Sequence, residues 1–306
     1  MTSTLSTQRE TVMTILVTGS TGTIGSNVID ILAAKGADVR ALVRNGKKPS
    51  FPAGVKTVTG DMTDLNSMRA ALQGVTTLFL LNAVVPDELT QALITLDLAA
   101  DAGIQRIVYF SVFNGALFSD VPHFTAKYNV EKAIEDQGLP ATILRPAYFF
   151  QNDATLQQAI MNYGAYPMPL GNRGAAMVDA LDIAEVAAHE LLRREQSPVP
   201  LPRCVIDVVG PDQITGPEAA SIWSEATGKP VIYAGDDLNN FEGMMLQFAP
   251  AVMARDMKMM FRGFQKHGMI PGNSSRDILT GVLGKPLRNY RDFVRETVQG
   301  WNAQAE

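Results

Sequence analysis

One cysteine in 306 residues, Cys204, excludes an internal disulfide and any cysteine-rich metal site. It lies in the strand-like run Arg203 to Val209 and is expected as a buried thiol in a reducing compartment. Histidine is nearly as scarce, with three residues, and no His, Asp or Glu cluster has metal-ligand spacing, so no metal is expected. Positive charge is in deficit. The 26 Lys and Arg against 31 Asp and Glu leave a net charge of −5, which argues against a nucleic-acid partner or a basic membrane patch. No apolar run approaches the ~20 residues of a membrane helix, and no basic-then-apolar leader opens the chain. A soluble, cytoplasmic protein is therefore expected, with no membrane partner. Solenoid repeats, low-complexity stretches and a serine nucleophile elbow are missing as well.

What is present is a core: 46% of the residues are hydrophobic, enough for one large or two modest domains. The chain is organised around Met13 to Ile31, MTILVTGSTGTIGSNVIDI. Met13 to Thr18 reads as a buried strand, glycines follow at 19, 22 and 25, and a helical pattern runs from about Gly22 to Lys35. A reversal from strand to helix needs permissive backbone angles, and a pyrophosphate can come close only where no Cβ intervenes. The amides of a helix start then face the anion. Thr21, Gly22, Thr23, Ile24 and Gly25, with Gly19 at the turn, are the candidate cofactor cradle.

The same punctuation recurs downstream. Strands are expected at Asp38 to Val43, Val55 to Thr59, Thr76 to Leu81, Gln105 to Ser111 and Ala141 to Leu144. Helices such as Asp87 to Ala102 stop at glycines, here Gly103 and later Gly138. Alternating strands and helices give an α/β fold with a parallel, doubly wound sheet. Residues 13–152 are assigned to it, and 178–210, with a helix at Asp182 to Arg193 and the strand at Cys204 to Val209, can return to it. Residues 211–306, joined by 153–177, form a smaller, mainly helical C-terminal substrate region, and residues 1–12 a flexible tail.

In a dinucleotide site the residue closing the second strand meets the adenosine ribose, where a carboxylate suits a 2′-hydroxyl and a cation a 2′-phosphate. Arg44 stands there, in Val43-Arg44-Asn45-Gly46-Lys47-Lys48, and no acid follows until Asp61. NADP(H) is expected, with NAD(H) second. Asp61 and Met62 are placed to edge the adenine, and Asn82 and Ala83 lie at the carboxyl edge after the fourth strand.

These pieces resemble the NmrA-like branch of the atypical short-chain dehydrogenases/reductases, which have a Rossmann fold. The matching segments are TGSTGTIG (18–25), LVRN (42–45), Gly60-Asp61, HFTAKYNVE (123–131), ILRPAYFFQN (143–152), ITGPEAASIWSEATGKPVIY (214–233) and GVLGKPLRNYRDFV (281–294). Short-chain reductases place a Tyr four residues before a Lys, and Tyr128 with Lys132 has that spacing. The resemblance implies another register: the active Lys lies four residues before a Glu and 18 before the Arg of an Arg-Pro pair, which selects Lys127 with Glu131 and Arg145. His123 then occupies the tyrosine position, on one helical face with Lys127, and Tyr128 turns about 100° away. Near a helix start and an ammonium, His123 is expected to stay neutral and to act as a hydrogen-bond donor or proton relay. Ser111 matches a serine that binds substrate in related reductases.

Tyr148, Phe149 and Phe150 follow the sixth strand and are candidate substrate walls. Seven of the fourteen methionines fall between Met244 and Met269, a segment able to mould around flat apolar ligands or to form plain core. The expected function is NADPH-dependent hydride transfer to a flat apolar or conjugated acceptor, of quinone, azo, enone or carbonyl type. The alternative is a non-catalytic NADP(H) sensor acting through a protein partner, since the resemblance includes such regulators. A sugar-nucleotide epimerase fits less well without the Tyr in register. A homo-oligomer is left open.

Overall fold

The computed structural model describes residues 13–47 and 49–305, so the expected tail at 1–12 and Lys48 of the basic loop lie outside it. Strand β1 (Thr14–Val17) is buried throughout, as a central parallel strand covered on both faces must be. Helix α1 (Thr23–Ala34) follows, then β2 (Asp38–Val43), β3 (Lys56–Thr59), α2 (Leu65–Leu72), β4 (Thr77–Leu80), α3 (Glu88–Asp101), β5 (Ile107–Phe110), α4 (Pro122–Asp136) and β6 (Ala141–Pro146). Past a 3-10 turn at Phe150–Leu156 come α5 (Gln157–Tyr163), β7 (Ala165–Tyr166), α6 (Ala180–Glu195) and β8 (Cys204–Val208). The chain ends with α7 (Gly216–Thr227), β9 (Ile232–Tyr233), α8 (Leu238–Met245), α9 (Ala251–His267), α10 (Ser275–Leu283) and α11 (Tyr290–Ala305).

Seven strands form one parallel sheet in the order β3-β2-β1-β4-β5-β6-β8. Alternate residues of each strand feed opposite faces. Ile15 and Val17 join Val28, Ile29 and Leu32 of α1 and Ile183, Val186 and Leu191 of α6. Leu16 turns the other way, onto Met68 of α2, Leu96 of α3 and Ile134 of α4. Helices therefore cover both faces, and the strand order reverses between β1 and β4, where ligands of such sheets bind beyond the carboxyl ends.

Beyond β6 the chain crosses between regions. Strand β8 pairs with β6, so Cys204 sits at the sheet edge, half-buried and beside Thr142, where an outer strand leaves one flank uncovered; the fully buried thiol expected for it is not found. Strands β7 and β9 make a separate two-residue parallel pair. The helical region has no core of its own: Phe241, Phe261, Phe264, Val294 and Trp301 belong to the same apolar cluster as α1 and α6. Beneath α11, Asp153 accepts hydrogen bonds from the hydroxyls of Tyr166, at 2.8 Å, and Tyr290, which itself accepts from Trp223 Nε1 at 2.9 Å. Among the described residues no helix is long and apolar enough to cross a membrane.

Candidate active site

The glycine turn shows what each glycine does. Gly19 has φ +60°, and a Cβ there would stand 2.8 Å from the Leu81 side chain. A Cβ on Gly25 would meet the Gly19 carbonyl oxygen at 2.2 Å, so only glycine lets α1 pack so close to the turn. Gly22 differs. Its nearest obstacle is 3.4 Å away and it caps α1 with no side-chain hydrogen bond, leaving the first-turn amides open toward the carboxyl end of β1. Thr21, Gly22 and Thr23 are exposed there, while Ile24 packs into the core.

Around this helix start the parallel strands bring the other candidates to one edge. Arg44, just past β2, is exposed and makes no ion pair among the described residues. Asp61 accepts from the Thr63 hydroxyl at 2.6 Å and the Thr63 amide at 2.9 Å; these two bonds, with Arg44 nearby, hold its carboxyl below the usual range. Met62 receives Asn82 Nδ2 on its sulfur at 3.6 Å, and Asn82 Oδ1 is enclosed with no protein donor. Ala83 is exposed beside it. An open helix start and a free cation at the end of β2 suit the phosphates of a dinucleotide, and the orphaned amide oxygen at the end of β4 suits one of its hydroxyl or N–H donors. Among the described residues no group of three His, Cys, Asp or Glu side chains could hold a metal.

Helix α4 carries the reactive candidates. Pro122 starts it, pre-set for a first helical position, and His123 and Lys127 follow on one face, both buried. Lys127 Nζ stands 3.0 Å from Glu88 Oε2, at the start of α3. Burial pushes the Glu88 carboxyl up, and the Lys127 charge pulls it partly back. The same Oε2 has no aligned hydrogen-bond donor, so the contact is an ion pair. His123 Nδ1 lies 2.6 Å from Asp256 Oδ1 of α9. The surroundings of His123 thus depart from those expected. The ammonium faces Glu88 and the imidazole faces Asp256, so two carboxylates offset the cationic field of the helix start.

Ser111 also departs from expectation. It is fully enclosed and donates to Glu131, so its hydroxyl ties the end of β5 to α4 instead of facing a ligand, while Arg145 Nε, 3.0 Å from the same carboxylate, links it to β6. Tyr128 is half-buried against Gly115, and Lys132 is half-buried and paired with Glu135. Tyr148 packs edge-on to Phe261 and Phe264 of α9, and half-buried Phe149 meets Phe110. Phe150 points elsewhere: its ring lies between Tyr290 and Phe293 of α11, in the core rather than along the cleft, because the 3-10 turn starting there rotates it inward. Met260 and Met269 are core, and Met244, Met245, Met257 and Met259 lean on it. Sequence reasoning missed Glu88 and Asp256. The signals were an acid opening the helix after β4 and a carboxylate on the buried face of α9.

Comparison with known proteins shows the family and the fold. The profile of the NmrA-like family matches residues 11–290. An NAD(P)H azoreductase of Xenophilus azovorans is 30% identical over 299 residues, covering 94% of this chain and 99% of that protein. The Citrobacter sp. triphenylmethane reductase complexed with NADP(H) superposes with a TM-score of 0.80 at 24% identity, covering 93% of this chain and all of that one. NmrA, described as a negative transcriptional regulator and solved with NAD, superposes with a TM-score of 0.77 at 19% identity, covering 97% and 99%.

Proposed function

The chain belongs to the NmrA-like family, and from that premise we propose that it is an NADPH-dependent reductase of small, flat, apolar or conjugated acceptors. The observation that carries this reading is the pair of buried side chains on one turn of α4. His123 is held by Asp256 and Lys127 by Glu88, at the carboxyl edge where the start of α1 lies uncapped. The azoreductase relative supports a reductase that uses NAD(P)H.

The first-turn amides of α1 receive the pyrophosphate, and the fork of Arg44 grips the 2′-phosphate. Asn82 Oδ1 accepts from the nucleotide, and Met62 edges its adenine. Glu88 balances the charge of Lys127 without taking an aligned hydrogen bond, so the ammonium donors are free to hold the nicotinamide ribose. The bound cofactor supplies a hydride. Tyr148 and Phe149 offer apolar surface to the acceptor, and His123 stands where a proton is needed. Hydride transfer to an electron-poor acceptor delocalises the developing charge, so the missing tyrosine narrows the chemistry without ending it.

Purified protein mixed with NADPH and a panel of quinones, azo dyes, enones and aldehydes, followed at the near-ultraviolet band of NADPH, tests this. Oxidation with at least one acceptor class is expected. The sensor reading is favoured by the likeness to NmrA and by a histidine in the tyrosine position. Stoichiometric NADPH binding without oxidation, together with nucleotide-dependent capture of a protein partner, would establish it instead.

A further inference from the structure

Asp256 is a carboxylate on the buried face of α9, between Ala254 and Met260. A buried acid without a partner is strongly disfavoured. The neighbouring charge on the same face, Lys258, is satisfied by Asn239 at 2.7 Å and Glu242 at 2.8 Å, both from α8. Asp256 has only His123 among the described residues, 133 positions earlier in the chain and on a helix of the other region. The Phe124 ring, its centroid 4.8 Å from that of the imidazole and steeply inclined to it, walls His123 on one side.

We propose that Asp256 is the positioning residue of His123, fixing its ring with Nδ1–H inward and Nε2 outward to the cofactor cleft. An ionised carboxylate only accepts, so the nitrogen facing it carries the proton. Nε2 makes no hydrogen bond with the described residues and is not among the enclosed orphan atoms, so it reaches solvent. With Nδ1–H turned to Asp256, the imidazole presents Nε2 as an acceptor and its conjugate acid presents Nε2–H as a donor. Of the two roles expected for it, neutral donor and proton relay, the relay remains. This step rests on the reductase reading above. One Nε2–H bond forms with a solvent proton and breaks as an acceptor O–H or N–H bond forms. The electron pair arrives at the acceptor as hydride from bound NADPH, and nothing changes oxidation state at the ring. Helix α9 belongs to the C-terminal region, so the proton route is complete only with that region seated on the sheet.

Nitrogen-15 spectra of the histidine rings test this directly, because the chain has three histidines. In the unmodified protein His123 should show the Nδ1–H form, and NADPH should shift its Nε2 signal. An Nε2–H form, or no shift with saturating NADPH, overturns the proposal, and neither measurement requires turnover. Asp256→Asn should spread His123 over both tautomers and lower kcat ~10-fold or more, with KM for NADPH unchanged and kcat partly restored in Asp256→Glu. A tautomer change with unaltered kcat, or a lowered kcat with an unaltered tautomer, also overturns it. If no acceptor is reduced, the reductase reading fails by itself, and the ring spectra still decide whether Asp256 positions His123.

Discussion

Lys127 Nζ and Glu88 Oε2 stand 3.0 Å apart and bridge α4 to the start of α3, each side chain less than a tenth exposed. Two buried charges of opposite sign cost little together and much apart. Glu88→Gln strands the ammonium and is expected to destabilise the fold by about 3–5 kcal/mol, read as a lower urea midpoint with an unchanged slope. The double variant Glu88→Gln/Lys127→Met should recover most of that loss. An unmoved midpoint in Glu88→Gln would mean that the pair does not form.

The glycines separate folding from ligand binding. Alanine at Gly25 places a Cβ 2.2 Å from the Gly19 oxygen and must part the turn from α1, an overpacking worth about 1–3 kcal/mol. Alanine at Gly22 meets nothing nearer than 3.4 Å, at an ordinary φ of −87°. Gly22→Ala should therefore melt within a few degrees of the unmodified protein yet bind NADPH on the order of 10-fold more weakly, because its methyl lies where the pyrophosphate approaches. Calorimetry and thermal melting of both variants check this. Equal NADPH affinity in Gly22→Ala would move the phosphate site elsewhere.

Arg44 gives the cofactor preference a second handle. A charge-assisted contact contributes about 1.5–3 kcal/mol, so Arg44→Ala should weaken NADPH binding ~10- to 100-fold. NADH, lacking the 2′-phosphate, should bind as before. Equal affinities for the two nucleotides in the unmodified protein would remove the argument from Arg44.

The legible parts of this molecule are those written locally. The β1–turn–α1 unit shows because apolar runs and glycines punctuate it within 20 residues, and Asp38–Val43 matches the observed β2 residue for residue. Strands β7 and β9 left no trace, since each contributes two residues and finds its partner some 67 positions away. The site followed the same rule. That Lys127 and His123 share one face of a helix is legible from their spacing, whereas Glu88 and Asp256 acquire meaning only through contacts between α4 and two other helices. Ser111 and Phe150 were misplaced because a position at a strand end does not specify which way a side chain turns. In Ser111 a carboxylate of α4 claims the hydroxyl, and in Phe150 the core under α11 claims the ring.

Asp153 carries the last prediction. It is fully enclosed, with tyrosine hydroxyls as its donors and no cation paired to it among the described residues. Burial pushes its carboxyl up to about 7, and the hydroxyls of Tyr290, Tyr166 and Tyr148 restrain the rise. The unfolded chain releases this proton near 3.8, the ordinary value of an aspartate carboxyl, so from about pH 4 to pH 7 the folded state holds a proton that the unfolded state has lost. Stability from this group is therefore greatest at acid pH, falls as pH rises through that window and levels off above it. The full change is on the order of 4 kcal/mol. Asp153→Asn keeps the shape and removes the titration. Urea-derived stabilities of both proteins at pH 5, 6, 7 and 8 should show the unmodified chain losing stability relative to Asp153→Asn up to pH 7 and running parallel to it beyond. Parallel profiles across the whole range would mean that Asp153 is already ionised at pH 5 and that the tyrosine hydroxyls alone satisfy the charge.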